Sequence, residues 1–219
     1  RALAAQAARG EGEIDPLILT KTNARSTVHR PGFMDYVGIL QFDARGRAIG
    51  EQRFIGLYTS AAYNRRPWDI PLVRERFEQV MSRSGLRETG HSGKALKHIL
   101  ETLPRDELFQ VSADDLKSLT HGVLRLQTKN RIALFTHMDP LEQYMSCLVY
   151  VPRDRYNTEV RLRIEAMLRE VLEADRVDTS VQVGESPLAQ LHLIVRPRSG
   201  NTVDIDAAAL DSGLSAIVR

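Results

Sequence analysis

Between Arg131 and Pro197 the hydrophobic period switches repeatedly between two residues and 3.6, and few folds accommodate that order. Arg131 to Met138 and Tyr144 to Val151 are apolar runs of strand length, joined by a turn at Asp139-Pro140. From Asn157 to Ala174, Val160, Ile164, Leu168 and Val171 recur at helical spacing and mark one buried face. On the other side Glu159 stands one helical turn before Arg163, and Glu165 before Arg169, the orientation that favours helical ion pairs. Strict alternation returns at Val177, Thr179, Val181 and Val183. It returns again at Ala189, Leu191, Leu193 and Val195, after a turn from Gly184 to Pro187. Val203 to Arg219 reads as a further helix. Strand, helix, strand, strand, helix is the order of a ferredoxin-like domain, with helices on one face of an antiparallel sheet.

Upstream the patterning divides in two. Arg1 to Glu13 reads as a helix end or linker. Leu17-Ile18-Leu19, Met34 to Phe42 and Gln52 to Thr59 are strand-like, and Asp43-Ala44-Arg45-Gly46 suits a type I turn between the last two. The middle is helical. Ile70, Val73, Phe77, Val80 and Met81 share a face, with Asp69 as the expected cap and Pro71 in the first turn. Ser92 to Leu103 is a second helix stopped by Pro104, and a third starts at the Ser112/Asp115 capping box. The expected class is therefore α+β. A mainly antiparallel β module (1–66) precedes a helical connector (67–128), a ferredoxin-like domain (129–200) and the start of a following helix (201–219).

Composition excludes several functions. Thirty basic residues against 28 acidic leave a formal charge of +2, without the clustered basic excess of a nucleic-acid binder. No run approaches the roughly 18 to 20 apolar residues that span a bilayer, and the opening residues lack the apolar core of a signal peptide. Neither nucleic acid nor membrane is an expected partner. Cys147 is the only cysteine, which rules out internal disulfides and fits a reducing cytoplasm. The chain opens without Met and is expected to be a piece of a longer polypeptide.

Catalytic signatures are sparse. Gly10-Glu11-Gly12 lacks the third glycine of a dinucleotide-binding turn, and Ser92-Gly93-Lys94 lacks the upstream glycine of a phosphate loop, so a helix start is expected there. His29, His91, His98, His121, His137 and His192 are scattered, with no metal-ligand spacing. His192 falls on the polar face of an alternating strand and is expected to be exposed, as are His98 and His121 on their helices. Cys147 alternates with Val149 and Val151 and reads as a buried thiol. Two polar clusters remain. Thr20 to Thr27, with His29 and Arg30, is dense in donors and could bind an anion or pack against another module, but a solvated loop is the favoured reading. Arg153, Asp154, Arg155, Tyr156 and Asn157 precede the best helix. They are the candidate effector or interface loop, although the favoured explanation is structural, with Asn157 as a helix cap and Asp154 paired to an arginine.

Five segments in this order resemble one known family: Leu17-Ile18-Leu19-Thr20-Lys21-Thr22-Asn23, Met34-Asp35-Tyr36-Val37-Gly38, Phe54-Ile55-Gly56-Leu57-Tyr58-Thr59-Ser60-Ala61-Ala62-Tyr63, Leu103-Pro104-Arg105-Asp106-Glu107-Leu108-Phe109, and Val149-Tyr150-Val151-Pro152-Arg153-Asp154-Arg155-Tyr156-Asn157-Thr158. They are similar to the N-terminal half of the large bacterial NAD-specific glutamate dehydrogenases. The resemblance implies a parent that converts L-glutamate and NAD to 2-oxoglutarate, ammonia and NADH as a homo-oligomer, with catalytic and NAD-binding modules beyond this stretch. It implies ACT-like and PAS-like regulatory modules here, no catalytic residue, no cofactor in this stretch, and other domains and subunits of the same enzyme as partners. A sensor for an amino acid or nucleotide is the alternative. The Pro152 to Asn157 loop lacks the glycine that amino-acid-binding ACT domains often place there, which favours packing or oligomerisation.

Overall fold

A three-stranded antiparallel meander opens the described part of the chain, which in this computed structural model comprises residues 15–29, 32–129, 131–184, 186–198 and 207–217. The opening segment, Gly10-Glu11-Gly12, Arg30 and residues 203–206 lie outside it. The meander runs β1 (Leu17–Arg25), β2 (Phe33–Phe42), β3 (Ala48–Gly56). Its second turn forms where Asp43 and Gly46 predict it. Gly46 N–H donates to the Asp43 carbonyl at 3.0 Å, and Asp43 Oδ1 accepts from the amides of Arg45 and Arg47 at 2.9 Å each. Gly46 has a φ of 75°, which a Cβ resists. Because this turn returns the chain at once, pairing resumes at Phe42↔Ala48, and β3 starts at Ala48 rather than Gln52.

The helices then follow in quick succession: α1 (Ser60–Asn64), a 3-10 turn (Pro67–Asp69), α2 (Val73–Arg83), α3 (His91–Thr102), α4 (Arg105–Gln110) and α5 (Ala113–Leu126). Asp69 does not cap α2. It closes the 3-10 turn that Pro67 starts, Pro71 stays outside the helix, and Leu72 at a φ of 68° redirects the chain into Val73. The Ser112 cap is as expected, its Oγ accepting from the Asp115 amide at 3.1 Å. Pro104 both ends α3 and stands as N-cap of α4, a helix that the sequence pattern did not show.

A second sheet contains β4 (Ala133–Met138), β5 (Met145–Pro152), β6 (Ala174–Gln182) and β7 (Leu188–Pro197) in the order β4-β5-β7-β6, with every neighbour antiparallel. The helix α6 (Thr158–Val171) carries β5 to β6 on either side of β7, and α7 (Ala207–Ile217) follows. From β5 onward this is the split β-α-β of a ferredoxin-like domain. Its outer strand beside β5 comes from upstream, as β4. Along α6 the buried face is Val160, Ile164 and Leu168, but Val171 is 43% exposed and Leu172 takes the last core position. The ion pair formed on this helix is Arg161–Glu165, at 2.6 Å, in place of the two expected ones.

Both faces of this sheet are covered, where helices on one face were expected. Cys147, Val149, Val151, Leu191, Leu193 and Val195 pack against α6 and against Leu210 and Leu214 of α7. On the opposite face Leu148, Tyr150 and Leu188 join Val73, Phe77, Val80, Ile99, Leu100, Leu116 and Val123 of the helical stretch, with Leu19 of β1. All eight residues of β5 are consequently buried. Each fully buried aliphatic side chain contributes about 1.5–3 kcal/mol of transfer free energy, so the helices and the sheet share a single second core.

Candidate functional site

The loop at the end of β5 is built mainly by local hydrogen bonds. Pro152 ends the strand, Arg153–Arg155 forms a 3-10 turn, and the Asn157 side chain accepts from the Val160 amide at 2.9 Å, capping α6. Arg153 ties the loop to the β6–β7 turn. Its amide donates to the Pro187 carbonyl and its Nη1 to the Gly184 carbonyl, both at 2.9 Å. Tyr156 packs against the α6 core. Asp154 is exposed and enters none of the ion pairs among the described residues. Arg153, Asp154 and Arg155 keep their side chains at the surface.

Three polar clusters join elements of the molecule, two of them buried and the third partly exposed, and sequence reasoning missed all of them. The first corrects the reading of Thr20 to Thr27 as a solvated loop. This stretch is largely β1, and Thr20 is 2% exposed with its hydroxyl bonded to Asp139. Lys21 Nζ lies 2.6 Å from Asp35 Oδ1, 3.0 Å from Asp106 Oδ1 and 3.3 Å from Tyr63 Oη. Burial pulls the Lys21 ammonium towards neutrality, but Asp106, Tyr63 and Asp35 together raise its pKa above the ordinary lysine range. Asp35 Oδ2 also accepts from the Tyr58 amide at 2.6 Å, which ties β2 to the entry of the helical stretch.

The second cluster corrects the exposed reading of His192, which is 8% exposed beneath α4. Ser146 Oγ donates to Glu107 Oε1 at 2.5 Å and lies 2.9 Å from His192 Nε2, itself 3.4 Å from Glu107 Oε1. Burial pushes the Glu107 carboxyl up, but the bond and charge of His192, the Ser146 hydroxyl and the charge of His137 hold it below its ordinary 4.5. The composition is that of a serine hydrolase site, but the geometry is not. Here the carboxylate accepts the serine hydrogen bond directly instead of orienting the far nitrogen of the imidazole. The cluster fastens α4 to the sheet. An acidic first turn after Pro104, with Asp106 and Glu107, was the available sign of this helix.

The third cluster joins the two sheets. Arg196 stacks on Phe33 at 3.8 Å, with Arg25 and Arg176 at 5.0 and 5.2 Å from the same ring. Asp178 pairs with Arg25 at 2.8 Å and Arg176 at 3.0 Å, and Arg196 Nη1 donates to Asn23 Oδ1 at 2.5 Å. Cys147 is fully buried, as expected, and burial pushes its thiol up to about 12, so it is not a nucleophile at neutral pH. Among the described residues no group of His, Cys, Asp and Glu has the geometry to hold a metal ion, and no helix is long and apolar enough to cross a membrane.

The surface carries the other distinctive feature. On β3, Ile49, Phe54 and Ile55 are 66%, 50% and 57% exposed. Register places Phe54 opposite Val37 and next to Ile39 on one face of the meander, and Ile55 opposite Tyr36 on the other. The outer strand therefore offers apolar side chains on both faces.

The architecture is a ferredoxin-like α+β domain packed on a helical stretch, and comparison with known proteins matches both parts. Residues 70–129 match the family model described as "Glutamate dehydrogenase, helical motif 1", and residues 133–219 match "Glutamate dehydrogenase, ACT2 domain". The chain is 43% identical over 199 residues to the NAD-specific glutamate dehydrogenase of Pseudomonas aeruginosa, covering 90% of this chain and 12% of that protein. It is 37% identical over 199 residues to the Halomonas elongata enzyme of that name, covering 91% and 12%. With the Mycobacterium tuberculosis enzyme the identity is 36% over 149 residues, covering 68% and 9%. The chain belongs to the NAD-specific glutamate dehydrogenase family, and it corresponds to the helical-motif and ACT portion of those much longer proteins.

Proposed function

We propose that this chain is a regulatory and assembly segment of an NAD-dependent glutamate dehydrogenase, making contacts with other domains and subunits of the same enzyme. The parent would oxidise L-glutamate with NAD to 2-oxoglutarate, ammonia and NADH in the cytoplasm as a homo-oligomer, with the cofactor and the chemistry held elsewhere in the polypeptide. On this reading residues 1–66 complete a β-rich module, 67–128 form the helical connector and 129–200 the ACT-like domain. The observation that carries the proposal is the outer strand β3, whose Ile49, Phe54 and Ile55 are each at least half exposed. An edge strand that leaves large apolar side chains uncovered on both of its faces is suited to being covered by another domain or chain. The buried polar clusters support it from the other side, because each is spent on joining elements. The loop from Arg153 to Asn157 is a second contact candidate, through its exposed arginines.

The test is to assay the purified chain for NADH formation with glutamate and NAD. No turnover is expected. Turnover by this chain alone would sink the proposal.

A further inference from the structure

Where α3 and α5 cross the end of the four-stranded sheet they leave a cavity of about 270 Å³. Ile99 and Thr102 of α3, Val123 of α5, Tyr150 of β5, and Leu188 and Gln190 of β7 line it. Most of the wall is apolar, but His98, Gln127, Gln182, Ser186 and Gln190 also line it, and of the three amides Gln190 is the buried one. Gln190 is only 8% exposed. Tyr150 Oη donates to its Oε1 at 3.1 Å, and its Nε2 donates to the Thr102 carbonyl at 3.4 Å, a long bond. A primary amide has two N–H donors and two acceptor lone pairs. These contacts use one of each, so Gln190 keeps a donor and an acceptor side by side. Burying such a group without partners is costly, and a ligand that supplies both recovers the loss.

The electrostatics restrict the ligand. None of the described lining residues is Lys, Arg, Asp or Glu. An ammonium or carboxylate would enter unpaired, at a cost no hydrogen bond to an amide offsets. With His98 the single imidazole in the described lining, a zwitterionic amino acid finds no pair of opposite charges there. The volume lies just below the roughly 300–1,000 Å³ of ordinary ligand pockets, which suits one planar ring system. We propose that the cavity binds a small uncharged planar ligand through an adjacent donor and acceptor read by Gln190, the edge that a primary carboxamide or a nucleobase presents. Because α3, α5 and the sheet each supply a wall, the ligand would tighten the helical stretch against the ACT domain. This site goes beyond the assembly role and stands independently of it.

The experiment titrates the chain separately with nicotinamide and with adenosine, following the Gln190 side-chain amide by ¹⁵N NMR and the melting temperature. A saturable shift of the Gln190 signals is expected, with a Tm that rises with ligand concentration. Binding by nicotinamide alone identifies the carboxamide as the feature read, and binding by adenosine alone identifies the nucleobase. Gln190→Leu should weaken binding about tenfold or more, and Val123→Phe should abolish it by filling the cavity. If neither compound moves the Gln190 signals up to its solubility limit, or if binding survives both substitutions, the site is refuted. The NMR titration of the unsubstituted chain decides the matter even where a variant fails to fold.

Discussion

Glu107 shows how a single residue organises the middle of this molecule. It projects from the six-residue helix α4 and meets Ser146 of β5 and His192 of β7 in a space where each is at most 8% exposed. Removing the carboxylate leaves the buried Ser146 hydroxyl and His192 imidazole with only each other as partners. Glu107→Ala is expected to destabilise the chain by about 3–5 kcal/mol, as other broken buried pairs do, measured by urea denaturation. The sign of the pH dependence follows from the depressed carboxyl. Its stabilisation is fully present above the ordinary value of 4.5 and is lost as pH falls through the lower folded-state value. Glu107→Gln should flatten that acid limb while leaving the limb above neutrality unchanged. An acid limb identical in wild type and variant would show that the carboxylate is not held as described.

At the scale of elements, close approach decides how α5 meets the second sheet. A Cβ added at Gly122 would lie 2.5 Å from Phe135 Cε1 on β4, so the ring must move. Gly122→Ala should cost about 1–3 kcal/mol, as overpacked cores do, and Phe135→Leu should restore most of that loss in the double variant. Additive effects in a double-mutant cycle would contradict the contact. The cap of α6 is a smaller matter. Asn157→Ala should lower stability by about 1 kcal/mol, read from the denaturation midpoint. Elements with a strong local signal were legible in the sequence. The Asp43–Gly46 hairpin turn, the Ser112 cap, the face of α6 and the alternating strands all depend on neighbours close along the chain. The candidate loop was readable to the same degree, since Asn157 is the cap that its position suggests. What lay beyond each face was not legible. Alternation along β7 assigns Gln190 and His192 to the polar side, but nothing local says that α3, α4 and α5 cover that side. The same reason hid Lys21, whose run of polar neighbours resembles a solvated loop until Asp35 and Asp106 close around it.

For the molecule as a whole, the sheets and helices are fastened to one another by paired charges and stacked rings, not by apolar contact alone. Phe33 with Arg196 on one side and Thr20 with Asp139 on the other hold the meander to the ACT sheet. The helical stretch fills the angle between them, which is why its apolar residues and those of β5 belong to one core. That arrangement leaves β3 as the outward edge, with its apolar side chains unused by the described fold. In the full-length enzyme they are expected to meet another domain or subunit. The most direct measurement is sedimentation of that enzyme carrying Ile49→Ser, Phe54→Ser and Ile55→Ser together. Exposed positions of this kind cost the isolated chain little, about 0.5 kcal/mol or less each, so its melting temperature serves as the control. A smaller assembly, or a weaker one that dissociates on dilution, with the isolated chain still folded, is the predicted result. An oligomer of unchanged size and dilution behaviour would contradict the assembly role of this segment.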